Sequence, residues 1–318
     1  MEVTFNRAKF SHHAFAFMID LFCMVVTALL LVLASRQLVG MAPFYIDASN
    51  KIKEVQLASH IYTQDEKGDT LLLSDFYNPE NEEECATYNV NLDNALKEFY
   101  SDSLFFDQTD IESGMNIYIN LRLETGHFIY TDESHSDVAP KDDVLASTIY
   151  KDYTKIMKED AIKYIAKNVD YINSIRTLNL SFIFLMLLTP IVISVFIFEY
   201  IIPLCLRRGR KTLGKLAFKL GVVDNQGLSP SFWRFTGRFA LFLIVEVLLS
   251  IVAFLIPFIV SISMFAFSKT SQSFHDYVAG TYVVNCENAR IFMNKKEYLE
   301  AKKEAEEFEL KSDMVDLK

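Results

Sequence analysis

The fold is decided by residues 14–34, which read AFAFMIDLFCMVVTALLLVLA and contain a single charged side chain, Asp20. A second stretch, residues 178–198, reads LNLSFIFLMLLTPIVISVFIF and contains no charge. A helix of either length measures about 30 Å, because each residue adds about 1.5 Å, and this matches the hydrocarbon thickness of a bilayer. The two stretches therefore predict membrane-spanning helices.

An N-terminal apolar stretch can also be a cleaved signal peptide. The apolar part of such a peptide has about 7–15 residues and no acidic side chain. Residues 14–34 are longer and contain Asp20. We therefore expect an uncleaved membrane anchor.

The segment between the two stretches is acidic. Residues 40–177 carry 12 lysines and arginines against 26 aspartates and glutamates, while the whole chain has a net charge of −10. Basic side chains flank the spans at Arg7 and Lys9 and again over residues 207–219. Because basic flanks are retained on the cytoplasmic side, we expect both flanks inside the cell and the acidic segment outside.

Residues 40–177 show patterns of both strand and helix. Apolar residues alternate over 117–124, which predicts a half-buried strand, and a turn at Thr125–Gly126 leads to a partner strand over 127–131. From about Asp142 the spacing becomes helical. We expect a small α+β extracytoplasmic domain. The buried face of its helix would comprise Ile149, Tyr153, Ile156, Met157, Ala161, Ile165, Val169 and Ile172.

A third apolar block, residues 239–267, is 29 residues long and contains Glu246, Ser250 and Pro257. One tilted helix could use the whole block. Alternatively, the block is a tight hairpin broken near residues 253–257, with limbs that begin at Trp233 and Phe254. In the hairpin, three basic side chains would extend to the membrane interface. They are Arg234, Arg238 and Lys269.

The C-terminal segment, residues 288–311, predicts a charged helix. Opposite charges lie four residues apart at Lys296/Glu300, Lys302/Glu306 and Lys303/Glu307. Ile291, Tyr298 and Ala305 are spaced by seven. The helix could be solvated on all sides or form a coiled-coil contact.

Two short β-like runs lie in the segments expected in the cytoplasm. They are Val222–Asp224, which leads into a turn over 224–227, and Tyr282–Val284. We expect them to pair as a two-stranded clasp.

Three sequence patches each adjoin an apolar block. The first is AFMID at 16–20. The second combines TLGK at 212–215, GVVDNQG at 221–227, SFWR at 231–234 and Arg238. The third is HDYVAGTYVV at 275–284. Together they resemble the RDD family of small polytopic bacterial membrane proteins. The resemblance covers residues 5–40 and 178–286, with the acidic segment as an insertion between the first two spans. The motif positions are Asp20, Gly214, Lys215, Asp224, Gly227, His275, Asp276 and Gly280.

The resemblance implies a mainly α-helical protein of the bacterial plasma membrane, with both termini in the cytoplasm and four spans, which favours the hairpin. It also implies the handling of ions or small solutes. Asp20 and Asp276 match the two aspartates of the family. The arginine of the family is replaced here by His12 or His13, whose side chain titrates near neutral pH. This exchange could retune an ion-linked role or mark its loss.

These expectations divide the chain into six parts. A cytoplasmic N-terminus and the first span occupy 1–39, the extracytoplasmic domain 40–177, and the second span 178–206. A basic cytoplasmic loop occupies 207–232, the transmembrane hairpin 233–274, and a cytoplasmic segment with the charged helix 275–318.

Two acidic residues within apolar blocks are the candidate ion-handling sites. Asp20 shares a helix face with His13. It could pair with a histidine or with Arg234 or Arg238, which would lock the helix bundle. Alternatively, it could handle protons or ions. Glu246 could complete a two-carboxylate cation site with Asp20. Pairing of Glu246 with Arg238 or Arg234 is the favoured alternative.

The basic loop is a candidate lipid-facing surface. Lys211, Lys215 and Lys219 lie four apart, which predicts one basic stripe on an interfacial helix that contacts anionic headgroups. The alternative is a topology signal with no further role. The full basic set is Arg207, Arg208, Arg210, Lys211, Lys215 and Lys219.

Several function classes find no support in the sequence. It shows no phosphate-binding glycine loop, nucleophile elbow, zinc signature or basic nucleic-acid face. Cys85 is the only cysteine of residues 40–177, so no disulfide is expected there. We expect no enzyme, cofactor or metal site. The expected functions are transport or, alternatively, a sensor or scaffold with a protein partner at the acidic domain or the C-terminal helix, and a homo-oligomer is compatible with either.

Overall fold

The computed structural model describes residue 6 and residues 8–106, 111–131, 133, 135–267, 272–287 and 289–315. The expectations for Arg7 and Lys269 lie outside these residues. The chain forms two compact units, one over 36–185 and one that joins 1–35 to 186–318.

The unit of residues 36–185 combines helices with two small antiparallel hairpins. In the first hairpin Tyr62 pairs with Leu72, and in the second Phe128 pairs with Pro140. The α+β composition agrees with the expectation. The elements in chain order are α2 (Pro43–Ala58), β1 (Tyr62–Gln64), β2 (Thr70–Leu72), α3 (Leu73–Tyr77), α4 (Glu82–Ser101), α5 (Ile111–Glu124), β3 (Phe128–Tyr130), β4 (Val138–Pro140) and α6 (Ala146–Ile156). They are preceded by the end of α1 (Phe10–Gly40) and followed by the start of α7 (Val169–Cys205).

Local sequence signals explain why α4 forms. The Asn81 side chain accepts a hydrogen bond from the Glu84 backbone N–H at 2.8 Å, and Glu84 accepts one from Asn81 Nδ2 at 3.0 Å. Three glutamates in the first turn also favour a helix N-terminus. The apolar face of α4 supplies the fully buried Leu92, Leu96 and Phe99 of the core.

The strand predicted over 117–124 is wrong, because these residues belong to helix α5. Their buried side chains are Tyr118, Ile119 and Arg122, a spacing typical of one helix face rather than of a strand. The alternation was misleading because Ile117 and Leu121, which suggested the strand, lie beside this face and are only partly buried. The partner strand does exist as β3, but it pairs with β4.

The helical prediction after Asp142 is confirmed in its first half. Ile149, Tyr153, Ile156 and Met157 are buried, and a π-helical turn at Met157–Ala161 extends α6 to Ile165. The expected continuation is confirmed at Ala161 and Ile165, which are buried, but it is wrong at Val169 and Ile172, which are exposed. The helix ends at Ile165, and Asn168 starts α7 by accepting hydrogen bonds from the backbone N–H groups of 170 and 171.

A buried arginine lies at the centre of this unit. Arg122, with 1% of its surface exposed, donates to Asp93 at 3.0 Å and to Asp137 at 3.2 Å, and its guanidinium lies 4.2 Å from the Tyr118 ring centre. Burial raises the pKa of the Tyr118 hydroxyl well above its ordinary value, and the nearby Asp93 raises it further. The charge is thus enclosed by hydrogen-bond acceptors and aromatic carbon.

The second unit contains the apolar helices. α1, α7 and α9 (Phe232–Val252) are the three helices in the described part of the chain that are long and apolar enough to span a membrane. Ser194 of α7, 1% exposed, donates to the Met24 carbonyl of α1 at 2.7 Å. Such hydrogen bonds from small side chains are typical of helix contacts in membranes. The remaining elements are α8 (Leu213–Ala217), β5 (Leu220–Asp224), α10 (Ile256–Phe267), α11 (Phe274–Ala279), β6 (Thr281–Asn285) and α12 (Lys295–Val315).

The third apolar block is broken, so a single tilted helix is wrong. α9 ends at Val252, and Phe254 and Leu255 adopt positive φ angles of 47° and 65°. The 12-residue helix α10 follows and packs against α9. The Phe258 backbone N–H donates to Ser250 Oγ at 3.1 Å across the bend. The predicted break near 253–257 is confirmed, and it forms a helical hairpin.

The predicted clasp is confirmed. β5 and β6 pair antiparallel, with Val222 opposite Val283. Asp224 closes the predicted turn by accepting hydrogen bonds from the backbone N–H groups of Gln226 and Leu228, at 2.9 and 3.0 Å.

The C-terminal helix begins later than predicted. α12 starts at Lys295, and Ile291 lies before it, buried against Val223 and Val284. The chain contacts the clasp through Ile291 before the helix begins. The expectation that Ile291 shares a helix with Tyr298 and Ala305 is therefore wrong. The ion pairs Lys296/Glu300 and Lys302/Glu306 are present, at 4.0 and 3.7 Å.

Candidate functional site

Asp20 is buried and holds a loop against α1. Its carboxylate accepts a hydrogen bond from Thr212 Oγ1 at 2.5 Å and one from the Gly214 backbone N–H at 2.7 Å. The expected arginine or histidine partner is therefore wrong. The backbone approach is so close that a Cβ at Gly214 would lie 1.9 Å from the Ala16 carbonyl oxygen. Glycine is required there for space.

A second buried cluster surrounds Asp276. Arg238 Nε donates to Asp276 Oδ1 at 2.6 Å, and the hydroxyls of Ser273 and Thr281 donate to the same carboxylate at 2.9 and 2.8 Å. Burial alone would raise the pKa of the Asp276 carboxyl, but the Arg238 charge and these hydrogen bonds outweigh burial, so the pKa lies well below its ordinary value. Asp276 is therefore an anion paired with a cation.

Glu246 is joined to this cluster through His275. Glu246 Oε1 lies 2.7 Å from His275 Nδ1 and accepts a hydrogen bond from the His275 backbone N–H at 3.2 Å. The opposite ring nitrogen, Nε2, lies 3.0 Å from Arg238 Nη2. The expectation that Glu246 pairs directly with Arg238 or Arg234 is therefore wrong, because a histidine stands between the carboxylate and Arg238.

A cavity of about 210 Å³ lies between these groups. Its charged and titratable lining comes from several parts of the unit, and aromatic side chains make up much of the remaining wall. The lining side chains with ionisable groups are His13, Asp20, Glu199, Lys215, Arg238, Glu246 and His275.

His13 faces this cavity, whereas His12 does not. The His13 ring stacks on Phe265 with a centroid separation of 4.2 Å, and its Nε2 is buried without a hydrogen-bond partner among the described residues. His12 lies 5.9 Å from the Phe218 ring. Of these two histidines, His13 is the one beside the acids.

Arg234 also lies outside the cavity. It pairs at 3.1 Å with Asp224, in the turn that follows β5. The structure thus brings together Asp20, His13, Glu246, Arg238 and His275 from the expected set.

The predicted basic stripe is wrong. α8 has only five residues, Lys211 precedes it, and Lys219 follows it with a φ of 53°. Lys215 is buried beside Thr212 and lines the cavity. Arg210 is also buried, and burial lowers the pKa of its guanidinium. Arg208 and Lys219 form exposed ion pairs with Glu297 and Glu287. Arg207 is exposed, whereas Lys211 is partly buried.

Sequence reasoning missed three groups of the site. Glu199 follows directly after the second apolar stretch, and a window extended to Cys205 would have included it in the same helix. Thr212 could have been suspected as an N-cap residue before Leu213. Ser273 could likewise have been suspected as an N-cap residue, because it precedes Asp276 by three residues and contacts it locally.

The apolar helices and the buried ionic site between them define a multi-pass α-helical membrane protein. Residues 150–280 match the family model of the RDD family, so the chain carries an RDD-family domain. The match includes α9 and the HDYVAG motif at 275–280, but it does not reach residues 5–40, where the resemblance placed the first aspartate. No curated protein and no solved structure matches the chain.

Proposed function

We propose that this protein transports ions or small solutes across a membrane and that the cavity is its binding site. The supporting observation is the convergence of Asp20, Glu199 and Glu246, from three apolar helices, on one cavity with two histidines. Acidic side chains in such helices are costly to bury, and they commonly mark an ion or substrate pathway. Titratable groups around a cavity also suit coupling to protons. The proposal includes no catalytic step.

A proteoliposome flux assay tests this proposal. The purified full-length chain is reconstituted, and movement of protons and of candidate cations is followed between pH 6 and 8. Asp20→Asn and Glu246→Gln keep the side-chain shapes and remove the charges. We expect both variants to lose most of the flux. Asp143→Asn, which changes an exposed acid outside the cavity, is the matched control and should retain it.

Unchanged flux in both cavity variants would reject this role for the acids. Gel filtration in detergent must show that each variant elutes as the parent protein does, because misfolding also abolishes flux. The wild-type pH profile provides a second readout that needs no substitution.

We further propose four crossings, with both termini in the cytoplasm of a bacterium and residues 40–177 outside the plasma membrane. The clasp supports an even count, because β5 and β6 are hydrogen-bonded and must lie on one side of the membrane. α9 and α10 lie between these strands in the sequence. The basic residues over 207–219 support a cytoplasmic location for the clasp. The exposed basic residues of this loop would contact anionic headgroups.

Single cysteines test this topology in a variant without the four native cysteines. Ser103→Cys, Gln226→Cys and Glu300→Cys place exposed thiols in the acidic unit, the clasp turn and α12. An impermeant maleimide added to intact cells should label the first only. Labelling of the third in intact cells would exclude four crossings with an internal C-terminus.

A second candidate function is a sensor or scaffold. The observation that favours it is that residues 36–185 have a hydrophobic core of their own. A photo-crosslinking amino acid at Leu299, which is 40% exposed on α12, should then capture a specific protein in cells. Absence of crosslinks at Leu299 and at exposed Val90 of α4 would count against this function.

A further inference from the structure

We infer that the cavity binds a small organic cation with an aromatic or branched apolar group, rather than a metal ion. This inference rests on the proposed function and names the class of solute. Three features carry it: the aromatic wall, the balance of charge, and the arrangement of the carboxylates.

The wall of the cavity is rich in phenylalanine. Phe10, Phe17, Phe242, Phe258 and Phe265 all line it. Phenylalanine supplies no oxygen ligand to a metal ion. The faces of aromatic rings do attract organic ammonium groups, by about 0.5–2 kcal/mol per contact. The wall therefore suits a cation that is itself partly apolar.

The charges around the cavity leave an excess of carboxylates. Arg238 is committed to Asp276 through a 2.6 Å contact. Lys215 provides favourable charge to Asp20, and its Nζ lies 3.4 Å from the Thr212 hydroxyl that donates to Asp20.

Two of the cavity's carboxylates, those of Glu246 and Glu199, remain without a lysine or arginine partner once these pairs are counted. Glu246 contacts His275, and Glu199 has no hydrogen bond or ion pair within the described part of the chain. Glu199 is only partly buried, but a carboxylate within apolar helices is costly unless an opposite charge or hydrogen bonds meet it. A cationic solute in the cavity would supply the missing charge.

The carboxylates are not arranged as a metal site. Calcium and magnesium need about six to eight oxygen ligands at short distance. Among the residues that the structure describes, no three histidine, cysteine or acidic side chains gather closely enough to hold a metal ion. The cavity of about 210 Å³ also has room for several water molecules at ~30 Å³ each, which suits a polyatomic solute.

His13 adds a second polar contact. Its buried Nε2 has no hydrogen-bond partner among the described residues. A buried polar atom without a partner is costly, and a hydroxyl or N–H group on the solute would satisfy it. The site thus offers a carboxylate, ring faces and one imidazole nitrogen.

Equilibrium binding of radiolabelled benzyltrimethylammonium to the full-length protein in nanodiscs tests the inference. Its neutral isostere, neopentylbenzene, has the same shape with carbon in place of nitrogen. We expect saturable binding that excess unlabelled cation displaces. The neutral isostere and millimolar Na⁺ should not displace it. Empty nanodiscs give the background from the lipid.

Two pairs of variants locate the binding. Glu199→Gln should weaken binding at least tenfold, and Phe265→Leu should weaken it several-fold. The controls are Glu300→Gln on α12 and Phe182→Leu on an exposed position of α7, both of which should bind like the parent. Equal binding by all four variants would overturn the inference.

The competition experiment uses only the wild-type protein, so it tests the inference even where a variant does not fold. Equal competition by neopentylbenzene, displacement by millimolar Na⁺, or no saturable binding would each overturn it. If ion flux depends on Asp20 and Glu246 but benzyltrimethylammonium does not bind, the inference fails and the proposed function stands. If this cation binds but no cation or proton is moved, the site stands and the transport proposal fails.

Discussion

Both units of this protein bury an arginine, but they use it differently. Arg122 in residues 36–185 is enclosed by Asp93, Asp137 and the Tyr118 ring. Arg238 in the other unit pairs with Asp276 on one side and lines a cavity on the other. The Arg122 side chain is thus enclosed, whereas a cavity of about 210 Å³ adjoins Arg238.

This difference separates a structural charge network from a candidate binding site. A buried ion pair is weak evidence of function on its own, since well-packed apolar side chains of similar volume often replace one without loss of stability. What distinguishes the second network is the adjoining cavity and the carboxylates left without cations. Stability measurements on the full-length protein can sharpen the distinction.

The largest effect is expected at the enclosed arginine. Arg122→Met should lower the free energy of unfolding of residues 36–185 by about 3–5 kcal/mol, because it removes the charged donor to the partly buried Asp93 and to the carbonyl of the buried Val138. Pulse proteolysis of the full-length protein measures this change. Lys97→Met is the control: Lys97 pairs with the same Asp93 at 2.8 Å but is 34% exposed, so about 0–1 kcal/mol is expected. Equal losses would show that burial of Arg122 is not decisive.

The next effect concerns the Arg238 pair and its pH dependence. Asp276→Asn keeps one acceptor oxygen, so we expect a loss of about 1.5–3 kcal/mol at neutral pH, as for a hydrogen bond to a charged group. The pKa of Asp276 is lower in the folded protein than in the unfolded chain. Its stabilisation is therefore fully present above the unfolded value of about 3.9 and is lost as pH falls below it.

Thermal unfolding between pH 7 and pH 3 measures this dependence. The wild type should lose stability at the acidic end, and Asp276→Asn should lose less. Asp143→Asn, at an exposed position, should keep the wild-type slope. A variant slope as steep as that of the parent would contradict the assigned ionisation of Asp276.

The contact beside Asp20 has no spare room and gives a smaller effect. Gly214→Ala would place its Cβ against the Ala16 carbonyl oxygen, and we expect a loss of about 1–3 kcal/mol from overpacking. Gly237→Ala has no atom within 4 Å of the new Cβ and lies inside α9. It should stabilise by about 0.5–1 kcal/mol. Thermal shifts of the same sign for both would contradict the close packing at Gly214.

The smallest effect is expected at a helix N-cap in the unit of residues 36–185. Asn81→Ala removes the side-chain acceptor for the Glu84 N–H and should cost about 1 kcal/mol. Asn94→Ala, at an exposed position within the same helix, should be neutral or slightly stabilising. The comparison is read from the unfolding midpoints of the two variants.

Features with a local signal could be predicted from the sequence. The clasp was predicted because Val222–Asp224 and Tyr282–Val284 are short β-branched runs beside a turn. The bend at 253–257 was one of two alternatives for the 29-residue apolar block, which contains Pro257, and the family resemblance favoured it. The signal for the clasp lies within a few neighbouring residues, whereas hydropathy alone left the choice at the bend open.

Partners distant in the sequence could not be predicted. Asp20 was assigned an arginine or histidine because those groups have the opposite charge, yet a hydroxyl and a backbone N–H reach it instead. Lys215 appeared to belong to an exposed stripe because Lys211, Lys215 and Lys219 lie four residues apart. This spacing does not reveal that α8 has only five residues. The false strand at 117–124 arose because side chains that merely flank a helix face can alternate by chance.

The position of His275 has one further consequence. Arginine can only donate hydrogen bonds, so the 3.0 Å contact makes Nε2 an acceptor, and Nδ1 must then carry the hydrogen that is donated to Glu246. The imidazole is thereby held in a single tautomer, and each ring nitrogen has a hydrogen-bond partner. A change of tautomer would turn Nε2 into a donor that faces the guanidinium, so tautomer and arginine orientation change together. The ¹⁵N chemical shifts of the ring would report that event directly.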